Sequence, residues 1–447
     1  MVDVARTGAV EINRASFERL VFPKVSVLAI QLKEPQIPSL TGLRFIAAMA
    51  VVLSHSIPKI VKYEQPPEMV VLLSQTAAEG MTLFFVLSGF VIFLNYSGSI
   101  GTRIGLWNFL IARFARLYPL YFLCVAFDLT MKFSYNQFPV DRVGSLPFYI
   151  TLTQSWLYFP ISGHSLVYQF GLMPQVSWSI STEWFFYFAF PLIAAALWPL
   201  RSTKMKIVTA MVFSAIVLTC LTLLNFKHAN IVNFGIRQYG QIAADPQDSY
   251  FRWLMYFSPY TRIAEFVLGC FCASIFAGLA PPSPRENRFG AWLTAGALAG
   301  MVALHWVMFG IQDKEEWHVL IHQLHQNFGF APFLAILIFC CARYRNGFAR
   351  LMSSSWIVLG GEASYSIYLL HELLINAFRY EAATITSWNV ALGSYLQLLV
   401  VLAATVGLSL ITWRFIEVPF RFALRTLQVD KSRQCCGAAA CSNPATR

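Results

Sequence analysis

Charge is what this sequence has least of. Asp, Glu, Lys and Arg make up 12% of its 447 residues, against about a quarter in soluble domains, and its mean hydropathy is +0.56. A water-facing surface over most of the chain is excluded. Acids are scarcer than bases, 22 against 33, which leaves a formal net charge of +11. No nucleic-acid-binding motif accompanies that excess, and no nucleic-acid partner is expected. In a chain this apolar, Lys and Arg gather instead on loops facing the cytoplasm. Nine cysteines are present, none with zinc-ligand partners at useful spacing. Six of them (Cys124, Cys220, Cys270, Cys272, Cys340 and Cys341) fall within or at the ends of apolar runs, where cysteine acts as a small hydrophobe. Cys435, Cys436 and Cys441 fall in a polar tail. Neither a disulfide framework nor a metal is expected. Nor does the chain show a secretory leader, an internal repeat or a second domain.

What it has is a succession of apolar runs, each near the length of about 20 residues that carries a helix across a bilayer. The expected spans are 41–60, 80–96, 113–133, 178–198, 205–224, 257–280, 289–309, 327–342, 356–378 and 394–415. Pro147–Pro160 (PFYITLTQSWLYFP) is short for a crossing. If it crosses, Arg201, Lys204 and Lys206 face outward, against the positive-inside tendency. If it dips and returns, the basic clusters within 103–116, 201–206, 285–288, 343–350 and 414–433 share one side, and the acidic stretch Asp313–Glu316 takes the other. The expected fold is an all-α polytopic membrane protein of about ten transmembrane helices. One short re-entrant or interfacial segment completes it, and both termini are cytoplasmic. Residues 1–38 form a cytoplasmic segment, interfacial at Val21–Leu32; 39–424 form the membrane domain; 425–447 form a disordered cytoplasmic tail.

Ionisable side chains inside a bilayer cost about 2.5–3.5 kcal/mol each on insertion scales, so each asks for a reason. "RFIAAMAVVLSH" opens on Arg44 and ends on His55. Eleven residues are about three helical turns, which sets the two on one face, roughly 16 Å apart. Glu183, in "VSWSISTEWFFYFAF", is expected at a depth similar to that of His55. If the two meet, the carboxylate fixes the imidazole tautomer and favours its protonated form, the logic of a general base held by an acid. A lone buried histidine is as much at home bonded to a neighbouring backbone. Arg113 and Arg116 lie three apart on one face and suit phosphate oxygens, although snorkelling arginines look the same. In "FFVLSGF", Ser88 and Gly89 let a helix or a ligand chain come close. Tyr368 and His371 share a face, lining a pocket or satisfying one another. Arg262 with Glu265 reads as an internal ion pair, and Glu417 as structural.

Taken in order, these stretches resemble the family-3 integral membrane acyltransferases, from about Ser39 to Arg421. The carriers are Arg44 with ten residues before His55, FFVLSGF, Arg113-x-x-Arg116 and Trp178-Ser179-x-x-x-Glu183-x-x-x-Tyr187. Ser364-Tyr365-Ser366-Ile367-Tyr368-x-x-His371 and Glu417-x-Pro419 complete the set. The resemblance implies a multi-pass protein of a bacterial inner membrane that moves an acyl group, usually acetyl, from cytoplasmic acyl-CoA to a hydroxyl of a surface carbohydrate or lipid-linked saccharide. His55, Arg44 and Glu183 become the expected catalytic residues, with His55 either a general base or a transient acyl carrier. Arg44 then stabilises the developing oxyanion or positions the pantetheine–phosphate arm. Arg113, Arg116 and Ser88 become donor contacts; Trp178, Tyr187, Tyr368 and His371 become acceptor contacts. Nothing after the last helix resembles the fused hydrolase-like domain of two-domain members. A proton-coupled transporter of a small solute is the alternative, because intramembrane His, Glu and Arg also build relays.

Overall fold

A computed structural model describes residues 37–61, 67–134, 140–169, 174–309, 320, 324–381 and 390–424. Val21–Leu32, Asp313–Glu316 and the tail from residue 425, with its three cysteines, lie outside them. Each of the ten expected spans has a helix: α1 Pro38–Ile60, α2 Ala77–Tyr96, α3 Arg103–Ser134, α4 Pro174–Leu197, α5 Thr203–Phe226, α6 Pro259–Ala277, α7 Pro284–Phe309, α8 Ala331–Arg343, α9 Ser364–Glu381 and α10 Val390–Thr412. Among the described residues, eight helices are long and apolar enough to cross a membrane. The protein is therefore an all-α, multi-pass membrane protein. α8 falls short of that standard at 13 residues, and α9 because it carries Glu372, Arg379 and Glu381.

α2 occupies the middle of the bundle, packed between α6 on one side and α1 on the other. A helix apolar all round belongs in such a place, and α2 is buried at nearly every position from Ala78 to Phe93. Small residues set the crossing with α6. A Cβ on Gly89 would stand 2.0 Å from the Phe266 carbonyl oxygen, and one on Gly269 would stand 2.0 Å from that of Val86. α5 is the opposite case. It buries only Leu221 and Asn225, so its apolar surface is left for lipid. The expected buried pair is present: Arg262 Nε lies 3.3 Å from Glu265 Oε2, both fully buried, with Thr82 donating to Glu265 at 2.7 Å. Glu417 accepts from Ser366 at 2.5 Å and pairs with Arg421, tying α9 to the turn that follows α10.

Pro147–Pro160 is not a helical crossing. Residues Leu146–Ile150 make a five-residue helix, and the rest is loop leading into the hairpin Pro160–Ile161/His164–Ser165. Its polar side chains are spent on packing. Ser155 bonds Ser181 at 2.9 Å, Trp253 Nε1 donates to the Ser155 carbonyl at 3.0 Å, and Tyr158 donates to the Asp248 carbonyl at 2.8 Å.

Candidate active site

α1 carries His55 near one end and Arg44 near the other. His55 Nδ1 lies 2.9 Å from His371 Nε2, with the two rings only 17° from parallel. His371 Nδ1 lies 2.6 Å from the Tyr368 carbonyl oxygen. A carbonyl only accepts, so Nδ1 of His371 holds its proton, and Nε2 of the neutral ring is left as an acceptor. His55 must then donate from Nδ1, which leaves its Nε2 with a free lone pair. Behind the pair stands Glu372. Its Oε1 is ion-paired with Lys59; its Oε2 is buried without a hydrogen-bond partner, 4.0 Å from His55 Nδ1.

His55 is 29% exposed, and what it is exposed to is a cavity of about 230 Å³ that also touches Trp178, Tyr256 and Arg252. A second, narrower cavity of about 60 Å³ is lined by Arg44, Ser88, Arg113, Arg116 and Glu183. Met81 and Tyr368 belong to the walls of both. The Tyr368 hydroxyl is held 2.7 Å from Ser179 Oγ and donates to the Val176 carbonyl at 2.9 Å, so the partition is tied to α4. In the narrow cavity Arg113 donates to the Tyr96 hydroxyl at 2.8 Å, with its guanidinium 4.9 Å from that ring's centre. Arg116 Nε is buried with no hydrogen-bond partner. Arg113 and Arg116 both repel Arg44 electrostatically, and Glu362 and Glu183 are the carboxylates that offset them. Three guanidiniums around a slot suit a polyanion.

Several expectations change here. Glu183 does not meet His55. Its Oε1 accepts from Ser88 at 2.7 Å and from Tyr187 at 2.7 Å, beside the arginines. The reason is depth: α4 starts at Pro174, so Glu183 is nine residues in, about 14 Å by rise, whereas His55 is five residues from the end of α1, about 8 Å. His371 is fully buried behind His55 and lines neither cavity. Tyr187, also fully buried, stands behind Glu183. Trp178 and Tyr368 do face the wide cavity.

The sequence reading missed Lys59 and Glu372, although Lys59 follows His55 by four residues on the same face and Glu372 adjoins His371. It also missed Arg252 in the wide cavity, and the cluster in which Glu79 Oε1 lies 2.6 Å from His305 Nδ1 and 3.0 Å from His325 Nε2. His55, His371 and Glu372 sit close enough together to be considered as ligands of one metal ion. The two histidines are already hydrogen-bonded to each other at 2.9 Å, however, and the Lys59 ammonium already supplies the positive charge at Glu372.

The site is thus an arginine-lined slot on one side of a tyrosine wall and an imidazole on the other. The model of the acyltransferase domain family, type 3, matches residues 37–414, and the chain belongs to that family. The chain is similar to the O-acetyltransferase OatA of Staphylococcus aureus, 25% identical over 400 residues that make up 86% of this chain and 57% of that protein. It is similar also to the acyltransferase MdmB of Streptomyces mycarofaciens, 26% identical over 347 residues, 76% of this chain and 79% of that one. The chain thus spans a little over half the length of OatA. No solved structure matches it.

Proposed function

We propose that this enzyme moves an acetyl group from cytoplasmic acetyl-CoA to a hydroxyl of a cell-envelope saccharide, in a bacterial inner membrane. The observation that carries the reading is the pair of cavities sharing Met81 and Tyr368, arginines in one and His55 in the other. The arginine slot suits the phosphates and the slender arm of the donor, and the wide cavity suits the acceptor. His55 Nε2 takes the proton of the acceptor hydroxyl as its oxygen attacks the thioester carbonyl. The C–S bond breaks, the acyl–oxygen bond forms, and the proton passes from His55 to the departing thiolate. His371 holds the tautomer that this requires, and the free oxygen of Glu372 balances the imidazolium while it lasts. Arg44, some 16 Å along α1 from His55 by helical rise, positions the donor in this reading and does not touch the reacting carbonyl. The homologue named O-acetyltransferase supports acetyl as the group moved.

The test is transfer of radiolabelled acetyl from acetyl-CoA to vesicle saccharide. His55→Ala is expected to lose about 10²–10⁴-fold in rate, the range for a removed general base, with membrane insertion and acetyl-CoA binding unchanged. Wild-type transfer by that variant would remove His55 from the reaction.

A further inference from the structure

The wide cavity holds a cation that nothing in the reaction above uses. Arg252 lies on its wall together with His55, Trp178, Tyr168, Tyr256 and Gln247. It is delivered there by an uncommon piece of backbone. Ser249 caps the short turn Tyr250–Arg252, its hydroxyl accepting from Arg252 N–H at 3.0 Å. The chain then widens into a π-helical segment over Trp253–Phe257 before Pro259 starts α6. Single π turns of this kind recur at functional sites.

Among the described residues Arg252 has no carboxylate partner. Its guanidinium lies 5.6 Å from the centre of the Phe257 ring, and its Nε is buried with no hydrogen-bond partner. Asp248, the acid one turn earlier, is already committed: it accepts from the Ser165 backbone N–H at 2.8 Å and from the Ser165 hydroxyl. An arginine set over an aromatic ring, with an unspent buried donor and no carboxylate partner among the described residues, is a receptor for an oxyanion. Trp178, Tyr168 and Tyr256 add the flat apolar faces on which sugar rings stack, and Gln247 adds a neutral polar group.

We infer that the acceptor is an anionic saccharide, its carboxylate or phosphate on Arg252 and its reacting hydroxyl at His55 Nε2. The inference rests on the acyl-transfer reading for the identity of the site, and on Arg252 for the charge. It also divides labour between the two cavities: three arginines bind the anionic donor in one, and a single arginine selects the anionic acceptor in the other.

The test measures binding, so that it does not depend on turnover. Full-length protein in detergent is titrated with methyl glucuronoside, with its methyl ester, which has the same ring and hydroxyls without the charge, and with methyl glucoside 6-phosphate. The readout is intrinsic tryptophan fluorescence, because Trp178 lines the cavity. Wild type is expected to prefer at least one of the two anions over the ester by about tenfold or more, the scale of one charged hydrogen bond. The tighter of the two identifies the group. In Arg252→Gln that preference falls to near one, Arg252→Lys keeps part of it, and acetyl-CoA binds both variants as it binds wild type, which reports intact folding. Binding by wild type of neither anion more tightly than the ester, or a preference that survives in Arg252→Gln, overturns the inference. Failure of the acyl-transfer reading shows separately, as absent acetyl transfer with the binding preference intact.

Discussion

His371→Phe isolates the role of the second histidine. In the wild-type protein His371 Nε2 accepts from His55 Nδ1 at 2.9 Å, and that bond strengthens when His55 becomes an imidazolium. Phenylalanine fills a similar volume and accepts nothing. A hydrogen bond to a charged group is worth about 1.5–3 kcal/mol, which at 1.36 kcal/mol per decade is roughly a 10- to 150-fold fall in rate. His371→Gln tests the cause, because its amide oxygen can accept from His55 while its amine donates to the Tyr368 carbonyl. Acetyl transfer in membrane vesicles is measured for both variants across pH and donor concentration. The Phe variant should lose kcat with the KM for acetyl-CoA unmoved, since the arginine slot is untouched, and the Gln variant should recover most of the loss. The pH profile separates positioning from packing: losing the acceptor lowers the basicity of His55, moving the acidic limb in the Phe variant and much less in the Gln variant. Wild-type kcat in His371→Phe, or equal losses in both variants, would refute the tautomer argument.

Glu183→Gln should leave the pH profile of kcat in place and alter only the KM for acetyl-CoA, because this carboxylate bonds Ser88 and Tyr187 and faces the arginines; a displaced acidic limb would restore its pairing with His55. Arg116→Ala should raise the KM for acetyl-CoA by about tenfold, one charge-assisted contact, with kcat little changed, as steady-state kinetics at saturating acceptor will read. Gly89→Ala forces a Cβ to within 2.0 Å of the Phe266 carbonyl oxygen and should cost about 1–3 kcal/mol or more by overpacking, seen as a lower unfolding midpoint in detergent. Gly98→Ala, which meets nothing within 4 Å, is its control and should unfold as wild type does.

Most of the helices were legible because the bilayer imposes a length on them, and a run of about 20 apolar residues is a local property of the chain. Which helices touch is not local, and the site was misread where that mattered. Glu183 was paired with His55 by counting depth from the ends of apolar runs, but Pro174 starts its helix several residues before the run does. Glu372 follows Tyr368 by four residues on the same face, and it escaped because its partner Lys59 lies 313 residues away in the chain. Arg252 escaped because the polar stretch before α6 reads as an outer loop, and nothing in its composition says that its last arginine reaches the cavity wall. Pro147–Pro160 was apolar enough to suggest immersion, yet Ser155, Trp156 and Tyr158 are consumed by bonds to α4 and to the segment before α6. Side chains that look free in a sequence are often those with partners far along it.

The charge pattern around His55 follows from where the reaction must happen. A carboxylate bonded directly to the imidazole would add a net negative charge to the bundle at rest, where desolvation is expensive. Here Glu372 is already balanced by Lys59 and His371 is neutral, so the group these three form with the resting His55 carries no net charge. In the proposed reaction, protonation of His55 brings one positive charge within 4.0 Å of the Glu372 oxygen left without a hydrogen-bond partner, at the moment when the thioester carbonyl turns negative. Under the proposed reaction the acyl group leaves toward the acceptor, and the acceptor's proton returns with the thiol. The two movements cancel in charge, so the transfer gains nothing from the membrane potential and must be driven by the thioester alone. An enzyme working on that basis has no need of the stepped chain of carboxylates that a proton pump requires. One imidazole with a held tautomer, open to a cavity on one side and backed by a balanced ion pair on the other, is sufficient.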